Sequence, residues 1–329
     1  MIFVTGGTGF LGSYILQELV LQGRPVRALR RNLNFPFYLH PALLDKISWV
    51  EGDMLDISGL MENLQGCNQI IHTAGFVSFN PSDKKKLFKI NIEGTANLVN
   101  AAIESGITDF VHVSSVSALG RNENSTPINE EIKWAGNDGQ SNYGISKYFG
   151  EMEVWRGMGE GLTPLIVNPA TLLGYGDWNK TSCGLFKTSY REIPWYMGGM
   201  NGFVDVEDSA RVIIALMNSG IRKERFIVSA ENRSYREIFN WMAAGFGKKH
   251  PSRKAGPFLA GIAWRKEKIK SLFTRNKPLI TRESVAIAAR QSMYDNHKLL
   301  RALPSFRFRS LEDSIFEACL KYLKNPQPL

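Results

Sequence analysis

The chain has 329 residues, of which 43% are apolar and 22% are charged, and its formal net charge is +9. This composition is typical of a soluble globular protein with a substantial core, and no apolar run approaches the roughly 20 residues of a membrane helix. Cys67, Cys183 and Cys319 are too far apart to form a zinc or disulfide motif. These features argue against a disulfide-rich secreted domain, a membrane-spanning protein and a metal site.

The first residues, MIFVTGG, have the pattern of a strand that runs into a glycine turn, so we expect no targeting peptide and a cytoplasmic protein. Basic residues cluster at 84–86, 248–249, 253–254 and 265–277. No nucleic-acid motif lies nearby, so we interpret these clusters as solvated faces or as attraction for an anionic ligand, and expect no nucleic-acid partner. The apolar and basic residues of 257–270 indicate a helix that covers a substrate pocket rather than a helix that lies on a membrane. No stable membrane insertion is expected.

Six apolar runs rich in β-branched residues predict buried strands in the first 170 residues. Helical patterns lie between several of them; in the first, Leu11, Ile15 and Leu19 share one face and Gly23 offers a stop signal. This alternation predicts an α/β fold with a doubly wound parallel sheet covered on both faces. The predicted strands are 2–7, 25–30, 46–53, 69–75, 109–115 and 164–170.

Beyond about residue 171 the pattern changes, because aromatic residues and glycines accumulate and longer helical segments follow. We predict that 171–202 and 229–329 form a smaller, mainly helical lobe at the carboxyl edge of the sheet. Residues 203–228 are expected to return to the core of the first domain. Helices are expected at about 207–219, 234–246, 281–302 and 310–323.

The stretch TGGTGFLG (5–12) connects the first predicted strand to the first predicted helix. In this context a glycine turn lets the backbone approach a pyrophosphate, whose charge meets the amino terminus of the helix. Residues 1–170 are therefore predicted to bind a dinucleotide, and the smaller lobe is predicted to bind the substrate. The cofactor-binding residues predicted here are Gly6, Gly9, Phe10, Leu11 and Gly12.

The end of the second strand predicts which dinucleotide is bound. An acidic residue at this place is the usual partner of NAD, but VRALRR (26–31) contains none. Arg30 and Arg31 could instead grip a 2′-phosphate, which favours NADP over NAD. After the third strand, Asp53 is placed to accept a hydrogen bond from an adenine amine, whereas Asp56 is more typical of a helix N-cap.

Two segments of the chain, NYGISK (142–147) and YDNHK (294–298), place a lysine four residues after a tyrosine, a spacing that chance alone could supply. Tyr143 lies 28 residues after Ser115, which ends the fifth strand at the edge where ligands bind in such sheets. Tyr294 has no such serine and is interpreted as packing in the second lobe. We therefore expect the first pair to carry chemistry.

The chemistry of a carbonyl reduction supports that choice. Hydride transfer to a carbonyl leaves an alkoxide that needs a proton, and tyrosine has an ordinary pKa of about 10, whereas efficient acid–base catalysis needs a value near 7. The ammonium of Lys147 on the next turn, together with a nicotinamide cation, could supply the difference. The hydroxyl of Ser115 could steady the substrate oxygen.

Together these motifs resemble those of the extended short-chain dehydrogenases/reductases, in the NAD-dependent epimerase/dehydratase group. The joint match is specific, although each motif alone is weak, and the second half of the chain is covered only loosely. Asparagine replaces arginine in the motif at 168–170. The matching elements are TGGTGFLG (5–12), DMLD (53–56), HTA (72–74), NIEGTAN (91–97), Ser114-Ser115, YGISK (143–147), NPA (168–170) and VDVED (204–208).

The resemblance implies a Rossmann-type fold and roles for individual residues. Ser115, Tyr143 and Lys147 are expected to be catalytic. His72 is expected to be a contact at the strand end near the cofactor rather than a catalytic base. Asn91 is expected either to order its helix or to hold a relay water. Further cofactor-binding residues are expected to be Arg30, Arg31, Asp53, Met54, Thr73, Ala74, Ser114, Lys147, Asn168 and Ala170.

Two further expectations concern the surface of the molecule. Glu151, one turn after Lys147, is expected to form a surface ion pair. By resemblance, a homodimer would form through helices near 85–105 and 143–159.

The sequence also favours one branch of this family. Ser115-Val116-Ser117 stands where sugar-nucleotide dehydratases carry Thr-Asp-Glu, and the arginines of 26–31 speak against an epimerase that retains NAD. VRALRR, GYGDWNKTS and the segment 277–303 resemble the dihydroflavonol 4-reductase-like branch. We therefore predict an NADP(H)-dependent oxidoreductase that reduces a ketone or aldehyde, or oxidises the alcohol.

Two alternatives stay open: a nucleotide-sugar epimerase or related sugar enzyme, and a cofactor-binding regulatory protein. The substrate pocket is equally undecided, because five apolar residues could either line it or belong to the core. These residues are Phe76, Val77, Phe79, Trp178 and Trp195.

Overall fold

A seven-stranded parallel sheet forms the centre of the protein, with the strand order β10-β6-β5-β4-β1-β2-β3. The structure is a computed structural model, and it describes residues 1–32, 34–121, 126–136, 139–256, 261, 264–265 and 281–328. The strands of this sheet are β1 (Ile2–Thr5), β2 (Val26–Arg30), β3 (Ser48–Glu51), β4 (Gln69–His72), β5 (Asp109–Val113), β6 (Thr163–Pro169) and β10 (Glu224–Val228). All six predicted strands are therefore present, and β10 is added at one edge.

Helices cover both faces of this sheet, because successive strand residues point to opposite sides. On β1, for example, Phe3 enters one core and Val4 the other. The α1 and α8 helices pack on one face, and α3, α5 and α6 pack on the other. This arrangement confirms the predicted doubly wound sheet. In chain order the α-helices before β10 are α1 (Phe10–Leu21), α2 (Pro41–Leu44), α3 (Ile57–Leu64), α4 (Lys84–Phe88), α5 (Gly94–Glu104), α6 (Asn142–Gly159), α7 (Gly184–Tyr190) and α8 (Val206–Asn218). Of these, α7 packs in a second core.

The remaining elements form a second, smaller core beyond the carboxyl edge of the sheet. Its centre is aromatic, with Phe186 packed against Tyr322 and Phe246. Three of its strands form one sheet and two form another. These elements are β7 (Thr171–Leu173), β8 (Trp195–Tyr196), β9 (Met200–Asp205), β11 (Glu231–Ser234), β12 (Arg253–Lys254), α9 (Tyr235–Phe246), α10 (Arg282–Ala289), α11 (His297–Ala302) and α12 (Leu311–Lys324).

The single helix expected over 281–302 is wrong, because the chain forms α10 and α11 with an extended segment between them. In that segment Gln291 pairs with Met200 and Tyr294 pairs with Ile128. These long-range backbone bridges compete successfully with the local helical pattern.

The segment from β9 to β10 approaches the central sheet again after the excursion of β7 and α7. The α8 helix packs against α1, and β10 pairs in parallel with β6 over the whole length of β10. No helix in the described part of the chain is long and apolar enough to cross a membrane. The amphipathic stretch 257–270 lies almost entirely outside the described residues.

Candidate active site

The glycine turn at 5–12 is closed against the amino terminus of α1. Gly6 has a φ of +72°, which favours glycine, and its carbonyl accepts a hydrogen bond from the Gly9 amide at 2.8 Å. A Cβ atom at Gly12 would lie 2.2 Å from the Gly6 carbonyl oxygen. No side chain caps the first turn of α1, so its amide groups are available to an anion. The turn therefore fits a dinucleotide pyrophosphate.

The end of β4 lies directly beside this turn. The Thr73 hydroxyl donates to the Thr5 carbonyl at 2.7 Å, and the Ala74 amide donates to the Thr5 hydroxyl at 3.3 Å. A Cβ atom at Gly6 would lie 2.5 Å from the Ala74 amide nitrogen. The structure thus brings the predicted residues of β1, β4 and the turn into contact.

Arg30 is the last residue of β2, and part of its guanidinium is buried without a hydrogen-bond partner in the described part of the chain. Its Nε and Nη1 atoms have no hydrogen-bond partner within the described residues, and the guanidinium lies over the Phe35 ring at 5.5 Å. Arg27 also has an Nε atom without a partner among the residues that the structure describes, but its Nη1 atom donates to the carbonyls of Asn63 and Gln65. Buried guanidinium donors without a partner are costly, so Arg30 fits an anionic group such as a 2′-phosphate.

The other predicted cofactor residues differ in exposure. Arg31 and Asp53 are at the surface near the ends of β2 and β3, and Asp53 accepts a hydrogen bond from the Leu55 amide at 2.9 Å. Asp56 caps α3 through the Gly59 amide, as expected. Met54, Leu11 and Ala170 are buried among core residues. Phe10 packs its ring edge against Tyr14 and Tyr38.

Ser115 and Tyr143 come together at the carboxyl edge of the sheet. Ser115 follows β5, and its hydroxyl accepts a hydrogen bond from the Ser117 amide at 3.1 Å. Tyr143 lies in the first turn of α6, which Ser141 caps. Burial raises the pKa of Tyr143, and the nearby Ser115 side chain partly opposes this shift. The Phe79 ring meets the tyrosine edge-on at 5.8 Å between centroids.

Lys147 is buried one turn after Tyr143 on α6. Only 5% of the residue is exposed, and its ammonium donates to the Val113 carbonyl at 2.8 Å. Burial lowers the pKa of Lys147 to about 8, and the negative charge of Glu151 opposes this shift. An ammonium held in the interior beside β5 exerts a strong field on its neighbours because little water screens it.

The second tyrosine–lysine pair does not converge on a site. The Tyr294 main chain is hydrogen-bonded to Asn232, and its ring would touch a Cβ atom at Gly202. The Lys298 ammonium instead binds Glu224 at 2.6 Å. Burial raises the pKa of Tyr294 to about 12.

His72 and Asn91 are both engaged with the protein itself. The two ring nitrogens of His72 contact the hydroxyls of Thr5 at 2.7 Å and Thr95 at 3.0 Å. Burial lowers the pKa of His72 to about 3, so the ring is neutral. The Asn91 side chain accepts a hydrogen bond from the Phe76 amide and donates one to the Phe76 carbonyl. Its amide also donates to the Ser146 hydroxyl at 2.9 Å, so Asn91 ties the segment after β4 to α6.

The expectation that Glu151 forms a surface ion pair is wrong. Its side chain is 0% exposed and lies at 3.0 Å from Arg225, which comes from β10. Glu151 lies four residues after Lys147, which places both side chains on one face of the helix. If that face is taken to pack against the sheet, the spacing predicts that Glu151 is buried. Asn168 also belongs to this cluster, since its amide lies 2.9 Å from Glu151.

The predicted pocket aromatics divide into two groups. Trp178 is 3% exposed and stacks on Tyr322 at 5.6 Å, so it belongs to the second core. Phe79 contacts Tyr143, and Trp195 is 37% exposed. Sequence reasoning also missed Glu283 of α10, whose carboxylate accepts a hydrogen bond from the Asn142 amide at 2.6 Å.

Comparison with known proteins agrees with this geometry. The model of the NAD-dependent epimerase/dehydratase family matches residues 2–229. The chain belongs to this family. Its members bind NAD(P) and act as oxidoreductases, epimerases or dehydratases. The recognition made from the motifs is thereby confirmed.

Two relatives and one solved structure match nearly the whole chain. A Synechocystis sp. protein described as a candidate dihydroflavonol 4-reductase is 30% identical over 308 residues, or 92% of this chain and 88% of that protein. Sterol demethylase protein B of Methylococcus capsulatus is 28% identical over 304 residues, or 91% and 92% of the two chains. The crystal structure of gox2253 superimposes with a TM-score of 0.82 at 26% identity, covering 99% of this chain and 98% of that one.

Proposed function

We propose that this enzyme is an NADP(H)-dependent oxidoreductase that reduces a ketone or aldehyde, or oxidises the corresponding alcohol. The observation that carries this proposal is the placement of Ser115 after β5 and of Tyr143 in the first turn of α6, with the buried ammonium of Lys147 one turn further along that helix. These three side chains lie at the carboxyl edge of the sheet, where β4 meets the glycine turn. The Synechocystis relative, described as a reductase, supports the same reaction class.

The residues present fit an NADP cofactor. The amides at the start of α1 would hold the pyrophosphate, and Arg30 and Arg31 would hold a 2′-phosphate. The buried polar atoms without a partner within the described chain also include the Ser114 hydroxyl and the Asn168 side-chain oxygen. They would meet the nicotinamide end. NADPH, when bound, supplies the hydride of the reduction.

The protein itself would supply the proton that the alcohol product needs. Tyr143 would transfer its phenolic proton to the carbonyl oxygen of the substrate, which becomes the hydroxyl of the alcohol. Ser115, whose side chain lies close enough to Tyr143 to lower its pKa, would hold that oxygen in place. Burial alone keeps Tyr143 protonated, so the phenolate that remains needs an opposing charge.

Lys147 is placed to provide that charge. A shift of the tyrosine pKa from about 10 to about 7 requires roughly 4 kcal/mol of preference for the phenolate. A buried ammonium on the next helical turn can supply a large part of this preference, because the surrounding dielectric constant is low. The hydrogen bond to Val113 at 2.8 Å fixes the ammonium in position.

The division of labour between the two parts of the chain is also part of the proposal. Residues 1–170 and 203–228 would bind the cofactor, and 171–202 with 229–329 would bind the substrate. Phe79 beside Tyr143 supports a moderately apolar pocket. A homodimer would use helices near 85–105 and 143–159, and analytical ultracentrifugation tests this arrangement.

A stoichiometric assay tests the proposed reaction. NADPH absorbance is followed with a panel of aliphatic and aromatic ketones and aldehydes, and the alcohol product is quantified. We expect one NADPH consumed per alcohol formed, with slower turnover of NADH. In parallel, UDP-glucose is tested for conversion without net change in cofactor. Conversion of the sugar without carbonyl reduction would establish the epimerase alternative, and NADPH binding without any turnover would favour a regulatory protein.

A further inference from the structure

A buried carboxylate lies one helical turn beyond Lys147. Glu151 follows Lys147 by four residues on α6, so both side chains are on the helix face that packs against the sheet. The Oε1 atom of Glu151 accepts hydrogen bonds from Arg225 at 3.0 Å and from Trp155 at 3.4 Å. Its Oε2 atom accepts one from Asn168 at 2.9 Å. A carboxylate held by three donors without solvent contact is an internal element of the site.

Asn168 connects this carboxylate to the serine of the active site. The Asn168 amide nitrogen that binds Glu151 also donates to the Ser115 main-chain carbonyl at 3.0 Å. Both partners are acceptors, so a flipped amide would place its oxygen against two other oxygens. Glu151 therefore fixes the orientation of Asn168, and Asn168 fixes the main chain at Ser115.

Arg225 anchors the other side of the carboxylate. It comes from β10, beside β6, and also donates to the Glu130 carbonyl. The Glu130 side chain accepts a hydrogen bond from the Ile227 amide at 2.8 Å. The network thus joins the edge strand, the loop that precedes α6, and α6 itself.

The charged and titratable groups around Lys147 come from three elements. His72 on β4 and His112 on β5 are buried and neutral, since burial lowers the pKa of both. On α6, Tyr143 precedes Lys147 and Glu151 follows it. Glu151 is the carboxylate whose field acts on the Lys147 ammonium.

We propose that Glu151 is a positioning residue that keeps Lys147 protonated and, through Asn168, holds Ser115 in register with Tyr143. It touches neither substrate nor cofactor, so its effect on the reaction is indirect. This inference rests on the proposed proton transfer from Tyr143. The burial of Lys147 already favours loss of its proton, and Glu151 offsets that cost.

Replacement of Glu151 by glutamine keeps the shape and removes the charge. Glutamine offers a single oxygen, so in Glu151→Gln its amide nitrogen faces either the Asn168 donor or the two donors of Arg225 and Trp155. Without the negative charge Lys147 loses its proton at lower pH. We therefore expect the alkaline limb of the kcat–pH profile to move down by about one unit, which is about a tenfold loss of kcat above it.

The matched control is Glu153→Gln on the same helix. Glu153 is on the exposed side of α6 and pairs with Arg156 at 2.8 Å. Its replacement removes the same charge and is expected to leave the pH profile unchanged. Glu151→Asp retains the charge, so it is expected to restore most of the alkaline limb even with weaker hydrogen bonds. The NADPH dissociation constant, from fluorescence, is expected to stay within about twofold in all three variants.

A readout without turnover separates this inference from the proposed function. NMR titration of the isotope-labelled lysine ε-CH2 groups, with the signal of Lys147 identified by Lys147→Met, gives its pKa directly. A lower pKa in Glu151→Gln than in wild type supports the inference, even if no carbonyl in the panel is reduced. The same pKa in both proteins overturns it. A loss of kcat that is equal at every pH overturns the part of the inference that concerns the proton of Lys147, because an effect through Asn168 and Ser115 alone would act in that way.

Discussion

Gly12→Ala is expected to break the contact between the glycine turn and α1. The new Cβ atom would lie 2.2 Å from the Gly6 carbonyl oxygen and 2.6 Å from the Thr73 hydroxyl, whereas real contacts are not shorter than 3.0 Å. The backbone must therefore move apart by about 0.8 Å, and overpacking of this kind costs about 1–3 kcal/mol of stability. The helix amides that face the pyrophosphate move with it. Loss of one charge-assisted hydrogen bond costs about 1.5–3 kcal/mol, so the NADPH dissociation constant should rise about 10- to 150-fold.

Fluorescence titration of NADPH and urea denaturation measure the two effects, with Gly23→Ala as the control. Gly23 follows the other end of α1 with a φ of +68° and no atom within 4 Å of a Cβ position. Alanine there should cost about 1–2 kcal/mol of stability through backbone strain and leave NADPH affinity unchanged. Equal loss of affinity in both variants, or unchanged affinity in Gly12→Ala, would refute the reasoning.

Three further outcomes follow from the structure. Arg30→Ala combined with Arg31→Ala should weaken NADPH at least about tenfold more than NADH, measured by fluorescence; equal losses contradict the preference for NADP. Lys147 has a pKa of about 8 in the folded protein against 10.5 for the free group, so the folded form binds fewer protons between these values. Its contribution to the free energy of unfolding should therefore rise with pH through that window, by on the order of 3 kcal/mol. The free energy of unfolding of Lys147→Met, measured by urea denaturation across this window, should lack the rise. The same dependence on pH in the variant and the wild type would be inconsistent with burial of the Lys147 ammonium. Phe186→Ala empties a site that is 0% exposed between aromatic rings and should cost about 3–5 kcal/mol in urea denaturation; a loss below about 1 kcal/mol would show that this core does not stabilise the fold.

Local patterns were sufficient to predict the central sheet and the turn. Each predicted strand is a short apolar run, and the glycines of 5–12 leave few other conformations for the connection to α1. Position along the chain also separated the two tyrosine–lysine pairs. Tyr143 follows a serine at a strand end, whereas Tyr294 packs between Gly202 and Ile128.

Pairings between distant segments could not be predicted in this way. The partner of Glu151 is Arg225, which is 74 residues away and reaches it only because β10 adds to the sheet beside β6. The break between α10 and α11 depends in the same way on bridges to Met200 and Ile128. Helix periodicity can indicate which face of α6 is buried, but it contains no information on which distant residue meets that face.

The central claim is that Tyr143 donates the proton in an NADPH-linked reduction, and Tyr143→Phe tests it most directly. The variant keeps the ring that packs against Phe79 and loses only the hydroxyl. Carbonyl-dependent oxidation of NADPH and NADPH binding are measured on the same preparation. We predict a loss of kcat of at least about a thousandfold, with a dissociation constant within about threefold of wild type. Undiminished turnover in Tyr143→Phe would contradict the account.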